Sequence, residues 1–321
     1  MNVYLTFDVE VWCNDWTQLD ARFPASFDRY VYGRSVRGSY ALPQTLDILG
    51  RHGLQGVFFV EPLFSARFGA QYLATIVGMI RAAGQDVQLH LHPEWTDEIR
   101  PPLLADVSRK RQHLIHYSAD EQTQLIAFGK RALEAAGAGI VDAFRSGSYA
   151  ADAGTYQALA RNGIAIDSSL NETAAISGAD LLAPLSYSTA RQVGSVSAFP
   201  VTVFRDGLGR LRPAQIGACS FAELRDALAS AHDLGCRHFV IVSHNFEMLR
   251  PGSTEPDWFV VRRFEKLCAF LAADPKRFDV GVFGPAPPSG PPEVAATEQR
   301  PSVGPWVSAQ RYAEQMRRRF A

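Results

Sequence analysis

The stretch Asp86-Val87-Gln88-Leu89-His90-Leu91-His92-Pro93-Glu94-Trp95 decides the fold. It is an apolar run that ends in two histidines, one residue apart from being adjacent. On an extended strand such side chains leave the same face, so His90 and His92 can aim their imidazoles at one point. A hydrolytic site of the zinc type takes three protein ligands, commonly histidines with a carboxylate, and keeps a position open for water. Leu5-Thr6-Phe7-Asp8-Val9-Glu10 offers the carboxylate, since it is another apolar run that closes on acids.

Working outward, further apolar runs lie at 56–60, 141–144, 163–167, 238–244 and 278–282, the lengths and patterns of buried strands. Between them come helical patterns: one from Pro43 to Gly53 with Leu46 and Leu49 on a face, one from Arg67 to Ala83 stopped by Gly84, and a long one after Pro101-Pro102 broken near Tyr117. Ser118 with Glu121 and Ser220 with Glu223 read as capping boxes, and Asp152 as the cap of a helix to Asn162. A last helix is expected from Asp257 to Ala273. Residues 11–40 mix aromatic and charged side chains without a sustained period, the mark of a long binding loop or lid. No regular unit is legible over 170–217.

Strands alternating with helices imply a parallel sheet with helical crossovers, whose catalytic groups gather at the C-terminal strand ends. Polar residues close at least five of the runs: Asp8 and Glu10, His90 and His92, Arg145, Asp167, then Ser243 and His244. So many polar strand ends converge more readily in a barrel than at the single crevice of an open sheet. The expectation is a distorted (β/α) barrel of about seven parallel strands over residues 1–283. Residues 284–321 read as a Pro/Gly-rich flexible tail with a short terminal helix, Arg317 to Arg319 being a solvated helix end.

Composition bounds the partners. The 321 residues carry 32 Lys+Arg against 33 Asp+Glu, and 47% are apolar, an ordinary globular balance without a basic footprint for nucleic acid. No apolar run approaches a membrane span, and no basic leader precedes the first strand, so a cytoplasmic protein is expected. Cys13, Cys219, Cys236 and Cys268 form no metal or redox motif and read as structural thiols.

Read as chemistry, His90 and His92 with Asp8 or Glu10 make a facial metal site. The second carboxylate is left as general base, since a metal lowers the pKa of bound water toward about 7 and polarises a carbonyl. His244 is placed to protonate a leaving amine, and Arg145 to hold the base carboxylate ionised. Glu94 is a further ligand or a support for one. Asp167 is an acid at a strand end, although Asp-Ser-Ser is also turn chemistry. The sum is hydrolysis of an amide or ester. No GxSxG elbow, phosphate loop or dinucleotide motif is present.

Taken in order, LTFDVE, HLHPEW, FRSGSY at 144–149, IDSSL at 166–170 and VSHNF at 242–246 resemble the motifs of polysaccharide deacetylases of carbohydrate esterase family 4, the NodB-homology group. The likeness spans about residues 3–283 and looks nearest to a branch associated with lipopolysaccharide biosynthesis. It implies a divalent metal, zinc foremost, and removal of acetyl from an N-acetylated sugar, nucleotide- or lipid-linked. It also implies Asp8 as base, Glu10 with His90 and His92 as ligands, His244 as acid, Arg145 as the tether of the base, Val242 in the acetate pocket, and Tyr149 and Ser243 near substrate. Three departures stand out. Val9 separates Asp8 from Glu10, which leaves an exchange of their roles open; His92 follows His90 by two places rather than four, with Glu94 at the fourth; and no tryptophan-bearing fourth motif is found. Two other readings remain: an amidohydrolase of small amides, resembling allantoinase-like relatives, and an inactive sugar-binding barrel.

Overall fold

A computed structural model describes residues 1–174, 176, 190–284 and 300–320. Its main sheet has strands β1 (Asn2–Val9), β2 (Val57–Val60), β3 (Asp86–Leu91), β4 (Ala143–Ser146), β5 (Ile166–Asp167), β6 (Arg191–Val193), β7 (Val196–Ala198), β8 (His238–His244) and β9 (Asp279–Val280). They run in the order β8-β1-β2-β3-β4-β5-β7-β6, with β9 beside the start of β1. Only β6 is antiparallel to its neighbour. The sheet curls into a half-barrel. Its open side is bridged by irregular chain: Thr202 N–H donates to Val240 O (3.1 Å), Val242 N–H to Ala214 O (2.9 Å) and Ile216 N–H to Val242 O (3.0 Å).

Each face of the strands is apolar for its own reason. Along β1, Val3, Leu5, Phe7 and Val9 join the core beneath the helices, while Tyr4 joins Val57, Phe59, Ala143, Ile166, Phe199, Val240 and Phe283 inside the barrel. Phe283 stops the base, its ring 4.3 Å from Tyr4 and 5.0 Å from Phe199. With the base filled by aromatics, the inward positions nearer the C-terminal strand ends can be polar. Arg145, wholly buried, sits with its guanidinium 4.4 Å from the centre of the Phe59 ring. Above it come Asp8 and the histidines.

His238 faces this apolar base, its Nδ1 3.3 Å from the Tyr4 hydroxyl. Burial, with Arg237 nearby, depresses its pKa to about 4. The unfolded chain, with an ordinary imidazole value, therefore binds the extra proton between roughly pH 6.5 and 4. Stability from this group is present above that window and lost as pH falls through it. Melting temperature should drop less between pH 7 and pH 4 in His238→Gln than in the parent; equal drops would exclude the effect.

The capping boxes form as the sequence implies, at Ser118 with Glu121 and Ser220 with Glu223, and Asp152 pairs with Thr155 in the same way. The helices Leu42–Arg51, Ala119–Ala135, Ala153–Arg161, Phe221–Asp233 and Trp258–Ala273 match the expected segments. Three segments differ. Gly69, at φ +112°, separates a short turn at Ser65–Phe68 from the helix Ala70–Ala82, where one continuous helix is expected. Residues 11–40 carry a helix at Leu19–Phe27 that buries Leu19, Phe23 and Phe27, and a small hairpin, so the excursion is built rather than loose. The helix expected after Pro102 is absent short of a single turn at Leu114–His116. Its polar side chains are spent on ties instead: Lys110 Nζ donates to Glu94 O (2.8 Å) and Asp97 (2.6 Å), and Arg111 pairs with Glu121 (2.9 Å).

The terminal helix, Pro305–Phe320, is docked rather than trailing. Arg311, buried, donates to Glu223 (2.8 Å), while Glu314 pairs with Arg263 and Arg318 with Asp257, so of the expected solvated end Arg317 is exposed and Arg318 is tied down. Of the expected tail, residues 285–299 lie outside the described residues. No helix among the described residues is long and apolar enough to cross a membrane. All four cysteines are free thiols.

Candidate functional site

The site lies at the C-terminal strand ends. Glu10 just follows β1, His90 ends in β3 and His92 just follows it. One oxygen of Glu10 is 2.9 Å from His90 Nε2 and 2.8 Å from His92 Nε2. These ligand atoms lie within 4.8 Å of one another, and an overlapping group joins Asp8, Glu10 and His244. The strand period therefore does what the sequence implies, turning both imidazoles onto one carboxylate.

Each of the three is held from behind. His90 Nδ1 is 2.7 Å from the carbonyl of Arg145 and donates to it, which fixes the ring so that Nε2 faces Glu10. His92 Nδ1 lies 3.4 Å from Glu94. Its ring packs against Gly147, where an added Cβ would sit 2.7 Å from Cε1 and Nδ1. Glu10 receives the Trp12 indole N–H on its other oxygen (2.6 Å), and its backbone is clamped by the Asn245 side chain, which accepts from Glu10 N (3.1 Å) and donates to Glu10 O (3.2 Å).

The donor set fits a divalent cation. Burial alone would raise Glu10, yet His92 and His90 hold it well below the usual carboxylate range. Burial alone would lower His92, yet Glu10 and Glu94 raise it well above the usual imidazole value. Positive charge is favoured at this point. Asp8 is matched by Arg145 and Glu247 by His244, so Glu10 and Glu94 are left as buried carboxylates beside imidazoles, and Glu94 Oε2 has no hydrogen-bond partner. Two buried carboxylates beside imidazole nitrogens suit a dication, which would take the place of the ring protons they now favour. Glu61 does not disturb the balance, because burial pushes it up to about 8 while it accepts from Leu63 N–H (2.8 Å).

Flanking the three are two further charged groups. Asp8 Oδ1 accepts from Arg145 (2.7 Å), and Arg145 is itself fixed by the carbonyl (3.0 Å) and hydroxyl (2.9 Å) of Ser168. Asp167 does not face the cluster; its oxygens take Tyr156 (2.8 Å) and Ser169 (2.5 Å), and Ser169 in turn accepts from Ser146 N–H (2.8 Å), so it braces the Arg145 strand. His244 ends β8 and places Nδ1 2.9 Å from Glu247. Burial would lower His244, but the bond to Glu247 and the charges of Glu10, Glu247 and Asp8 raise it to about 9. Ser243 donates to Glu247 (3.0 Å), and Val242 is fully buried in β8. Tyr149 sits near Asp8 and Arg145, its phenol pushed up by burial and by Asp8, in a turn where Ser148 (φ +54°) and Tyr149 (φ +60°) are both left-handed. Such backbone is costly for residues other than glycine and collects at functional sites.

Sequence reasoning missed Glu247, Trp12, Gly147 and Asn245. Glu247 stands three after His244 in chain without helical signal, and nothing marks it before the turn is seen. Trp12, two after Glu10, was legible as spacing alone. Trp12→Phe keeps the ring against His92 (4.8 Å between centroids) and deletes the N–H. Metal affinity should fall about 10- to 100-fold, as is usual when a ligand loses its support. Titration against a chromophoric chelator measures this; unchanged affinity means that the indole does not hold Glu10.

No protein-family model matches the chain, and no curated protein does. Solved structures do. A Mycobacterium smegmatis protein, whose assignment as a polysaccharide deacetylase is itself provisional, superposes with TM-score 0.54 at 20% identity, over 85% of this chain and 84% of that one. A 4-alpha-glucanotransferase from Thermococcus litoralis gives 0.53 at 12% identity, over 87% of this chain and 38% of that one. A family 4 carbohydrate esterase from Streptomyces lividans, in complex with acetate, gives 0.41 at 16%, over 88% and 93%. The first two of these establish a shared half-barrel fold, and because that fold serves differently named proteins, the chemistry must be argued from this chain's own side chains.

Proposed function

We propose that the chain is a metal-dependent hydrolase that removes the N-acetyl group of a sugar. The observation that carries this reading is the convergence of Glu10, His90 and His92 between an arginine-held aspartate and a glutamate-held histidine. Glu10, His90 and His92 would hold the metal, zinc being the best match to two imidazoles and a carboxylate. When bound, it polarises the amide carbonyl and acidifies water.

The remaining steps belong to the chain. Asp8, kept in place by Arg145, takes a proton from the attacking water. As the C–N bond of the amide breaks, His244, whose pKa the bond to Glu247 raises, gives its proton to the departing amine. Acetate and the free amino sugar result. Glu247 keeps the His244 ring turned so that Nδ1 faces Glu247 and Nε2 is left for the substrate. Half-buried Trp12, Tyr149 and Phe246 stand around the cluster, the kind of aromatic wall that recognises a ligand's apolar face.

A surface-polysaccharide precursor, such as an N-acetylated nucleotide- or lipid-linked sugar of lipopolysaccharide assembly, is the substrate class we favour, on the motif resemblance. Dialysis against a chelator should abolish acetate release from N-acetylated sugars, and zinc or cobalt should restore it. Release that ignores the chelator would exclude the reading.

A further inference from the structure

Two segments concentrate exposed apolar side chains. Among the described residues eight large apolar side chains are exposed, and five of them, Leu208, Leu211, Trp306, Tyr312 and Met316, lie on the hairpin over 203–213 or on the terminal helix Pro305–Phe320. The two segments touch. Gly207 N–H donates to Ser308 Oγ (2.9 Å), and a Cβ at Gly207 would lie 2.2 Å from Pro305 Cα. On the helix, Trp306, Ala309, Ala313 and Met316 share the outward face, while Ser308 and Arg311 are buried on the other.

Their charge has one sign. The segments hold seven arginines, at 205, 210, 212, 311, 317, 318 and 319, against two acids, Asp206 and Glu314, in a chain of formal net charge -1. Both acids are already taken, Asp206 by Arg311 and Glu314 by Arg263. Arg205, Arg210 and Arg317 stay exposed. A protein partner's surface usually mixes both signs. Exposed Trp, Tyr, Met and Leu beside arginine without a free acid match an acidic lipid headgroup layer, where apolar side chains enter the interface and arginines meet phosphate.

We propose that this face docks the protein onto an anionic bilayer surface. The inference does not lean on the hydrolase reading, and a chain inactive on every sugar would still bind.

Co-sedimentation with phosphatidylcholine vesicles, with and without phosphatidylglycerol, tests it. Binding should be several-fold greater with the anionic lipid and should weaken as salt rises. Trp306→Ser with Met316→Ser, and Arg210→Glu with Arg317→Glu, should each lower binding by at least about threefold while leaving the melting temperature unchanged. No preference for anionic vesicles, or binding indifferent to both pairs, overturns the proposal. So does a concentration-dependent dimer that Trp306→Ser dissolves, which would make a second copy the occupant.

Discussion

His92→Ala is expected to lose its metal and its turnover together. The imidazole supplies one of two nitrogens 2.8–2.9 Å from the same Glu10 oxygen, and the other histidine grouped with Glu10 among the described residues, His244, is already bound to Glu247 (2.9 Å). Loss of a supporting residue alone weakens metal sites about 10- to 100-fold, so loss of a ligand should exceed about 100-fold in affinity. The change also strips Glu94 of the imidazole beside Oε1 while Oε2 is already without a partner. A buried carboxylate left alone is costly, so the metal-free variant should melt below the metal-free parent. Metal content after gel filtration and a melting curve decide both points. A variant that retains stoichiometric metal would remove His92 from the ligand set.

His244→Ala should do the opposite: keep metal and lose about 10²- to 10⁴-fold in turnover, the usual worth of a positioned acid. Glu247→Gln separates position from charge. Glu247 accepts from Gln215 (2.6 Å), Gly217 N–H (2.7 Å) and Ser243 while facing His244, and a Cβ at Gly217 would meet its carboxylate at 2.6 Å, so there is little room to adjust. A glutamine must turn its NH₂ toward one of these donors or toward His244 Nδ1. The raised pKa of His244 depends first on this bond. An acid works only while protonated, so activity in the parent should fall on the alkaline side as His244 loses its proton. In Glu247→Gln that alkaline fall should move downward. A variant with an unmoved alkaline limb would mean that His244 is not the proton donor.

Much of this was readable from the chain. Apolar runs closed by polar residues placed Asp8, Glu10, His90, His92, Arg145 and His244 at one end of a barrel, because strand period and strand direction are local properties that tertiary contacts seldom overturn. What escaped was non-local or depended on a turn. Glu247 reaches back to His244 only because the chain bends after β8; Gly147 matters only because a ring happens to lie on it; and Asn245 links Glu10 to the carbonyl of Tyr30, a residue of the segment that looked patternless. The helix expected after Pro102 failed for a related reason, since Lys110 and Arg111 find partners elsewhere that an isolated helix could not offer.

The place of β1 has one more consequence. Its residues 2–8 pair along their whole length with 238–244, and Asn245 clamps the backbone of Glu10 across 235 residues of sequence. A nascent chain emerging from the ribosome would thus present its first strand, acids included, long before the matching edge exists. Contacts this distant are slow to form. The cluster of acids and imidazoles is therefore among the last features to be completed, and a fragment ending before residue 238 would be left with an apolar strand edge for chaperones or aggregates to find.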